Sequence, residues 1–278
     1  MRLLILTAVT MTAFAANSVL NRLALKGGMI DALDFAAIRL ASGAFALWVL
    51  LRLTGRVLPR GDGLPWLGAG ALLLYVTGFS LAYLALDAGA GALILFGGVQ
   101  ITMFAGAIAV GEHVPPRRWF GAGLALLGLA WLLWPSEVGS LPFWPALSMA
   151  AAALGWGVYS LAGRGGADPL AKTTGNFLLA AVAVPGLVLL ADRALPPSPA
   201  GIGLALVSGV LTSGLGYALW YRILPALGAG RAGVAQLSVP VIAALGGAVF
   251  LAEVPDLRFL LASAVVLAGV GLAVLPQK

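Results

Sequence analysis

Apolar runs of roughly helix-spanning length alternate with short polar separators along the chain. The runs lie near 3–25, 34–53, 65–86, 89–110, 117–134, 142–162, 173–190, 201–222, 230–251 and 257–275. The separators, among them GRVLPRGDGLP, GEHVPPRR, WPSEVGSLP, GRGGADPLAK and DRALPPSP, concentrate Gly, Pro and charge. About 20 apolar residues make a helix long enough to cross a bilayer, and backbone in lipid must satisfy its own hydrogen bonds. The pattern therefore predicts an all-α integral membrane protein with ten transmembrane helices. The first run, MRLLILTAVTMTAFAA, imitates a secretory signal, but its apolar character continues to Leu25 and a related segment recurs internally. It is predicted to be the first transmembrane helix.

Composition agrees with the pattern. Of 278 residues, 61% are hydrophobic and 9% charged, against about one quarter charged in soluble domains. The net charge of +6 comes from basic residues scattered singly between apolar runs, which is a topology signal and excludes a nucleic-acid patch. With the N-terminus inside, Arg2, Arg52, Arg56, Arg60, Arg117, Arg118, Arg164, Lys172, Arg222, Arg231 and Lys278 fall on the inner side. Arg22, Lys26, Arg193 and Arg258 fall outside, and Arg39 lies within a helix. Both termini are thus expected in the cytoplasm and the chain in the cell inner membrane. There is no Cys and one histidine, His113, so a thiolate nucleophile, a metal cluster or a Ser/His/Asp triad is not expected. No enzyme activity and no cofactor follow from this set. The expected partners are a small-molecule substrate and the lipid bilayer, with the chain a monomer or weak homodimer.

The chain also repeats itself. GAGALILFGGVQITMFAGAIAVGE (89–112) aligns without gaps to GRAGVAQLSVPVIAALGGAVFLAE (230–253), placing Glu112 on Glu253 and Gly106 on Gly247. NSVLNRLAL (17–25) matches WGVYSLAGR (156–164) more loosely. The chain reads as a five-helix repeat over 1–137 and a second over 138–278, within one structural domain. Because five is odd, the second copy is inverted in the membrane. Inverted repeats suit a carrier that opens one central site to either side in turn.

FAANSVLNRLAL and DFAAIRLASGA in the first half, with LPALGAGRAGVAQLSVPVIAALGGAVFLAE in the second, resemble the drug/metabolite transporter superfamily, specifically its EamA-type ten-helix members. The resemblance covers essentially the whole chain. It implies two inverted five-helix repeats around a central cavity, and export or exchange of small metabolites, amino acids among them. The first copy departs from the pattern by carrying Val99 where Pro240 stands.

Polar atoms are expensive in hydrocarbon and face a cavity or one another. Asn17 and Asn21 are four apart and share a face of the first helix, with Ser18 beside them. Arg39 lies about 8 Å beyond Asp34 along the second helix. Two readings stand for it: an anchor that snorkels or pairs with Asp34 or Asp31, and a fixed charge facing the cavity for a substrate carboxylate or phosphate. Tyr83, Trp156 and Tyr217 are candidate walls of an amphipathic pocket, and Gln100 and Gln236 complete the substrate-binding set. Pro240 and the Gly97–Gly98 pair are candidate hinges, since interrupted helices in matching halves point to a binding site. No Asp or Glu lies in the middle of an apolar run, which argues for facilitated diffusion or exchange over tight proton coupling. A sugar-phosphate, nucleotide-sugar or drug carrier, and a membrane scaffold without transport, are the alternatives.

Overall fold

The structure, a computed structural model, describes residues 1–58, 65–109, 111, 114–134, 141–163, 168–192 and 196–274, with the side chains of 65, 228–231, 233 and 274 outside that description. Glu112, His113, Arg60, Arg164, Arg193 and Lys278, and the side chain of Arg231, are therefore outside it too. Among the described residues the regular structure is entirely helical. The elements are α1 (Arg2–Lys26), α2 (Ala32–Leu53), α3 (Pro65–Ala82), α4 (Ala88–Ala109), α5 (Pro116–Leu133), α6 (Phe143–Ala162), α7 (Pro169–Ala180), α8 (Val184–Leu190), α9 (Pro199–Val207), α10 (Gly216–Gln236), α11 (Ser238–Leu251) and α12 (Leu257–Val274). A 3₁₀ turn at Ala181–Ala183 carries α7 into α8, and a π-helical segment at Ser208–Leu215 carries α9 into α10.

Local chemistry starts several helices where the polar separators end. The side chains of Asp31, Asp168 and Ser198 accept hydrogen bonds from the amides of Leu33, Ala171 and Gly201, and Pro169 and Pro199 open α7 and α9. Each cap satisfies a donor that the first turn leaves free, and proline there gives up an amide that had no partner. Among the described residues, seven spans are long and apolar enough to cross a membrane: Arg2–Lys26, Ala32–Leu53, Ala88–Ala109, Phe143–Ala162, Pro169–Leu190, Pro199–Leu227 and Val234–Leu251. Trp66–Ala82 and Leu257–Ala273 are shorter apolar helices.

Two boundaries differ from the sequence pattern. The backbone stays helical from Gly216 to Gln236, across the expected gap at 223–229, with Pro225 inside the helix. The break falls instead at Leu237, between α10 and α11. Pro240 explains it, because a proline ring collides with the carbonyl four residues back, here that of Gln236. The interruption caused by Pro240 therefore precedes the proline itself. By contrast α4 runs unbroken across Gly97 and Gly98. These glycines admit neighbours: a Cβ on Gly98 would lie 2.8 Å from the Cβ of Ala153 in α6.

The two halves of the chain interlock. α3 packs on α6, α4 on α6 and α11, α5 on α12, α1 on α11 and α10, and α2 on α7 and the π-helical segment. The closest approaches run over glycine. A Cβ on Gly155 of α6 would lie 2.6 Å from the carbonyl oxygen of Ala71 in α3. Small faces of this kind let membrane helices approach to backbone contact.

Candidate functional site

At the centre, α1, α2, α3, α6 and α10 turn aromatic and polar side chains toward one another. Arg39 of α2 is fully buried, so it does not snorkel. Its Nε donates to Ser213 Oγ (2.8 Å), and its Nη2 donates to the hydroxyls of Tyr75 (2.9 Å) and Tyr217 (3.2 Å). The guanidinium carbon lies 5.2 Å from the ring centroid of Tyr75 and 5.0 Å from that of Phe79. Nη1 has no hydrogen-bond partner, and no described carboxylate forms an ion pair with Arg39. The site thus holds a buried cation that no described carboxylate neutralises. Burial of a lone charge is costly, and polar hydroxyls and aromatic faces offset only part of that cost.

The π-helical segment explains why Ser213 is there. Its wider i→i+5 turn brings Ser208, Thr212 and Ser213 round to one face. All three hydroxyls donate to Asn17 Oδ1, at 2.8, 2.5 and 3.5 Å. Gly209 allows the segment to lie against α2, since a Cβ there would stand 2.6 Å from the carbonyl oxygen of Arg39. One turn along α1, Asn21 Nδ2 donates to Ser80 Oγ (3.3 Å), while Asn21 Oδ1 is buried without a hydrogen-bond partner among the described residues.

Aromatic rings fill the space between. Trp156 lies 4.9 Å from Tyr75, 4.8 Å from Tyr217 and 5.4 Å from Tyr159, and Phe14 meets Trp156 and Tyr217 edge-on. Phe14, Asn17, Tyr75, Phe79, Leu95, Phe96, Trp156 and Tyr217 leave a void of about 10 Å³, room for about one water molecule. The centre is closed in this conformation.

The two ends of the bundle differ. At the end where α1 and α3 finish and α4 begins, Arg22 is buried and its Nε donates to Glu253 Oε1 (2.8 Å). Its other nitrogens reach Asp87 (3.3 Å) and the carbonyls of Tyr83 and Leu84. Glu253 Oε2 accepts from the amide of Ala88 at the start of α4, and Lys26 Nζ reaches Glu253 (3.5 Å) and the Leu251 carbonyl. Ala252, in the left-handed region at φ 55°, turns the chain so that Glu253 points inward. Partial burial, with Glu253 close by, holds the Asp87 carboxyl above the ordinary aspartate range. At the opposite end a cavity of about 700 Å³ opens among Leu50, Thr54, Arg56, Leu170, Tyr221 and Arg222.

Of the residues singled out from sequence, Asn17, Trp156 and Tyr217 line the central void, and Arg39 stands directly behind Tyr75 and Tyr217. Asn21 lies one turn off. Gln100 Nε2 donates to Gln236 Oε1 (3.3 Å), so these two bridge α4 and α10 and are not void residues. Tyr83 is buried beyond α3, its hydroxyl donating to the Ala88 carbonyl and its ring against Phe79, also away from the void. Arg22, counted among the charges of the outer side, is a buried member of an ion cluster, and Glu253 is buried although it lies at a helix end. Tyr75 and Ser213, not in the predicted set, bind Arg39; membrane polarity flags them only once Arg39 is known to need partners.

The sequence profile of the EamA-like transporter family matches residues 143–275. The uncharacterized protein PA1977 of Pseudomonas aeruginosa is 48% identical over 277 residues, covering 99% of this chain and 96% of the relative. A protein crystal structure superposes on 96% of this chain and 96% of its own with a TM-score of 0.68 at 20% identity, a likeness of fold.

Proposed function

Because the chain belongs to the EamA-like transporter family, we propose that it moves amino acids across the bacterial inner membrane, by export or exchange, through alternating access. The carrying observation is Arg39, a fully buried guanidinium with no hydrogen-bond partner for Nη1 and no carboxylate paired with it among the described residues. A substrate carboxylate supplies the missing charge. One turn away, the unpartnered acceptor Asn21 Oδ1 suits an ammonium group, and the rings of Phe14, Trp156 and Tyr217 suit an apolar side chain. Phosphorylated solutes carry more charge than one free guanidinium balances. The second buried arginine, Arg22, already has Glu253 and Asp87.

In this reading ten helices cross the membrane, α3, α5 and α12 joining the seven long spans, with both termini cytoplasmic. Residues 1–137 and 138–278 are inverted repeats. Paired helix contacts support this: α3–α6 corresponds to α10–α1, α4–α6 to α11–α1, and α2 with the π-helical segment to α7–α3. The ion cluster closes the outer mouth, while the 700 Å³ cavity serves as the inner vestibule.

The test is exchange flux in proteoliposomes against labelled amino acids, sugar phosphates and nucleotide sugars. Exchange of amino acids alone is expected, with Arg39→Gln lowering their apparent affinity by about 10- to 100-fold. Exchange of no labelled solute, or unchanged affinity in folded Arg39→Gln, would overturn the reading.

A further inference from the structure

The hydrogen bonds around Arg39 identify which atom meets the solute. Arg39 itself does not line the central void; Tyr75 and Tyr217 do. The Tyr75 oxygen accepts twice, from Arg39 Nη2 (2.9 Å) and from the Tyr217 hydroxyl (3.3 Å). A phenol has one proton to give and two lone pairs to receive with. Tyr217 donates its proton to Tyr75 while its own oxygen accepts from Arg39. Both lone pairs of Tyr75 are therefore used, and its proton has no acceptor among the described residues. Tyr75 lines the central void.

We propose that the Tyr75 hydroxyl is the group that binds the substrate carboxylate directly in the closed site, with Arg39 acting through it as a positioning and polarising residue. The inference rests on the carboxylate reading of the proposed function and assigns the contact within it. A guanidinium donating into a phenol oxygen draws charge from the O–H and strengthens the hydrogen bond that the proton makes next. The second bond, from Tyr217, acts in the same direction. The relay also keeps a full positive charge one layer back from an aromatic centre, where direct ion pairing with the solute would slow release. Ring contacts hold the Tyr75 side chain in place, with Phe79 at 5.4 Å and Trp156 at 4.9 Å.

The experiment compares, in proteoliposomes, inhibition of exchange by an amino acid and by its carboxamide. Tyr75→Phe removes the hydroxyl and keeps the ring. It is expected to weaken inhibition by the carboxylate by about 10- to 100-fold and inhibition by the carboxamide by much less. A fluorinated tyrosine at position 75, which keeps the shape and makes a more acidic donor, is expected to tighten the carboxylate alone; this variant preserves the test if Tyr75→Phe does not fold. Arg39→Lys keeps the charge but loses the planar fork that holds Ser213 through Nε and both hydroxyls through Nη2, and is expected to lose carboxylate preference as Tyr75→Phe does. Carboxylate preference intact in folded Tyr75→Phe, or unmoved by fluorination, overturns the relay. Exchange by the unmodified protein with no preference between carboxylate and carboxamide overturns the carboxylate reading itself.

Discussion

Single residues divide by whether their charge is answered. Arg22 and Glu253 answer each other across 231 positions of sequence, both buried. Removing one partner of a buried pair strands the other, at a cost of about 3–5 kcal/mol, whereas replacing both by apolar groups of similar volume is often nearly neutral. Glu253→Gln is therefore expected to lower the thermal midpoint of the detergent-solubilised protein clearly, and Arg22→Met with Glu253→Leu to recover most of the loss. Equal losses in the single and double variants would show that the pair is not the cause. Arg39 is the opposite case. No described carboxylate answers its charge, and hydroxyls and aromatic faces surround it instead.

Among elements, the π-helical segment and the glycines beneath it do the positioning. Gly209 and Gly155 both allow backbone contact, at α2 and α3 respectively, and a Cβ at either would force a shift. Overpacking of this kind typically costs about 1–3 kcal/mol. Gly209→Ala pushes the segment that carries Ser213 and leads into Tyr217 away from Arg39, so it is expected to lower both stability and carboxylate affinity in flux assays. Gly155→Ala acts on the α3–α6 crossing near Tyr75, and its larger effect is expected on stability. If Gly209→Ala left carboxylate affinity intact, the segment would be a packing device only. The break at Leu237 is the second element-scale device. Pro240 places it by excluding the Gln236 carbonyl, and so frees α11 from the rigid continuation of α10.

For the whole molecule, the ion cluster at one end and the cavity at the other set the test of the alternating-access proposal, in which the halves part at the ion cluster. The chain has no native cysteine, so a single thiol reports access cleanly. Ser80 is fully buried and lies about 4.5 Å along α3 from Tyr83, whose carbonyl Arg22 holds. Ser80→Cys is expected to react slowly with an impermeant thiol reagent, and at least about tenfold faster when Glu253→Gln is added. The pH dependence has a definite sign. Asp87 faces Arg22, Lys26 and Glu253 and shares a cavity with Asp256 and Arg258. Its carboxyl binds a proton more readily in the closed cluster than free in water, so acidification above the ordinary aspartate range stabilises closure, and rising pH releases it. Labelling is expected to slow as pH falls through that range, and Asp87→Asn to abolish the dependence. Labelling indifferent to Glu253→Gln would remove the cluster from the gating scheme.

Helical rods were legible in the sequence because their cause is local: apolar length, capping side chains and the requirement that backbone in lipid bond to itself. Arg39 was legible for a related reason, since the cost of its burial is visible wherever an arginine interrupts an apolar run. Its partners were not. Tyr75 and Ser213 lie 36 and 174 positions away, and any of several tyrosines and serines satisfied the same pattern. The ion pairing of Arg22 was not legible, because its neutralising carboxylates sit 65 and 231 positions along the chain. The partners of Gln100, Gln236 and Tyr83 were not legible either: the fold pairs Gln100 with Gln236 and Tyr83 with the Ala88 carbonyl. Sequence alone determined which segments are helical and which side chains are costly in a membrane. Tertiary structure alone decided which costs are cancelled, because cancellation depends on which faces of small residues come into backbone contact, and hydropathy along the chain carries no record of that.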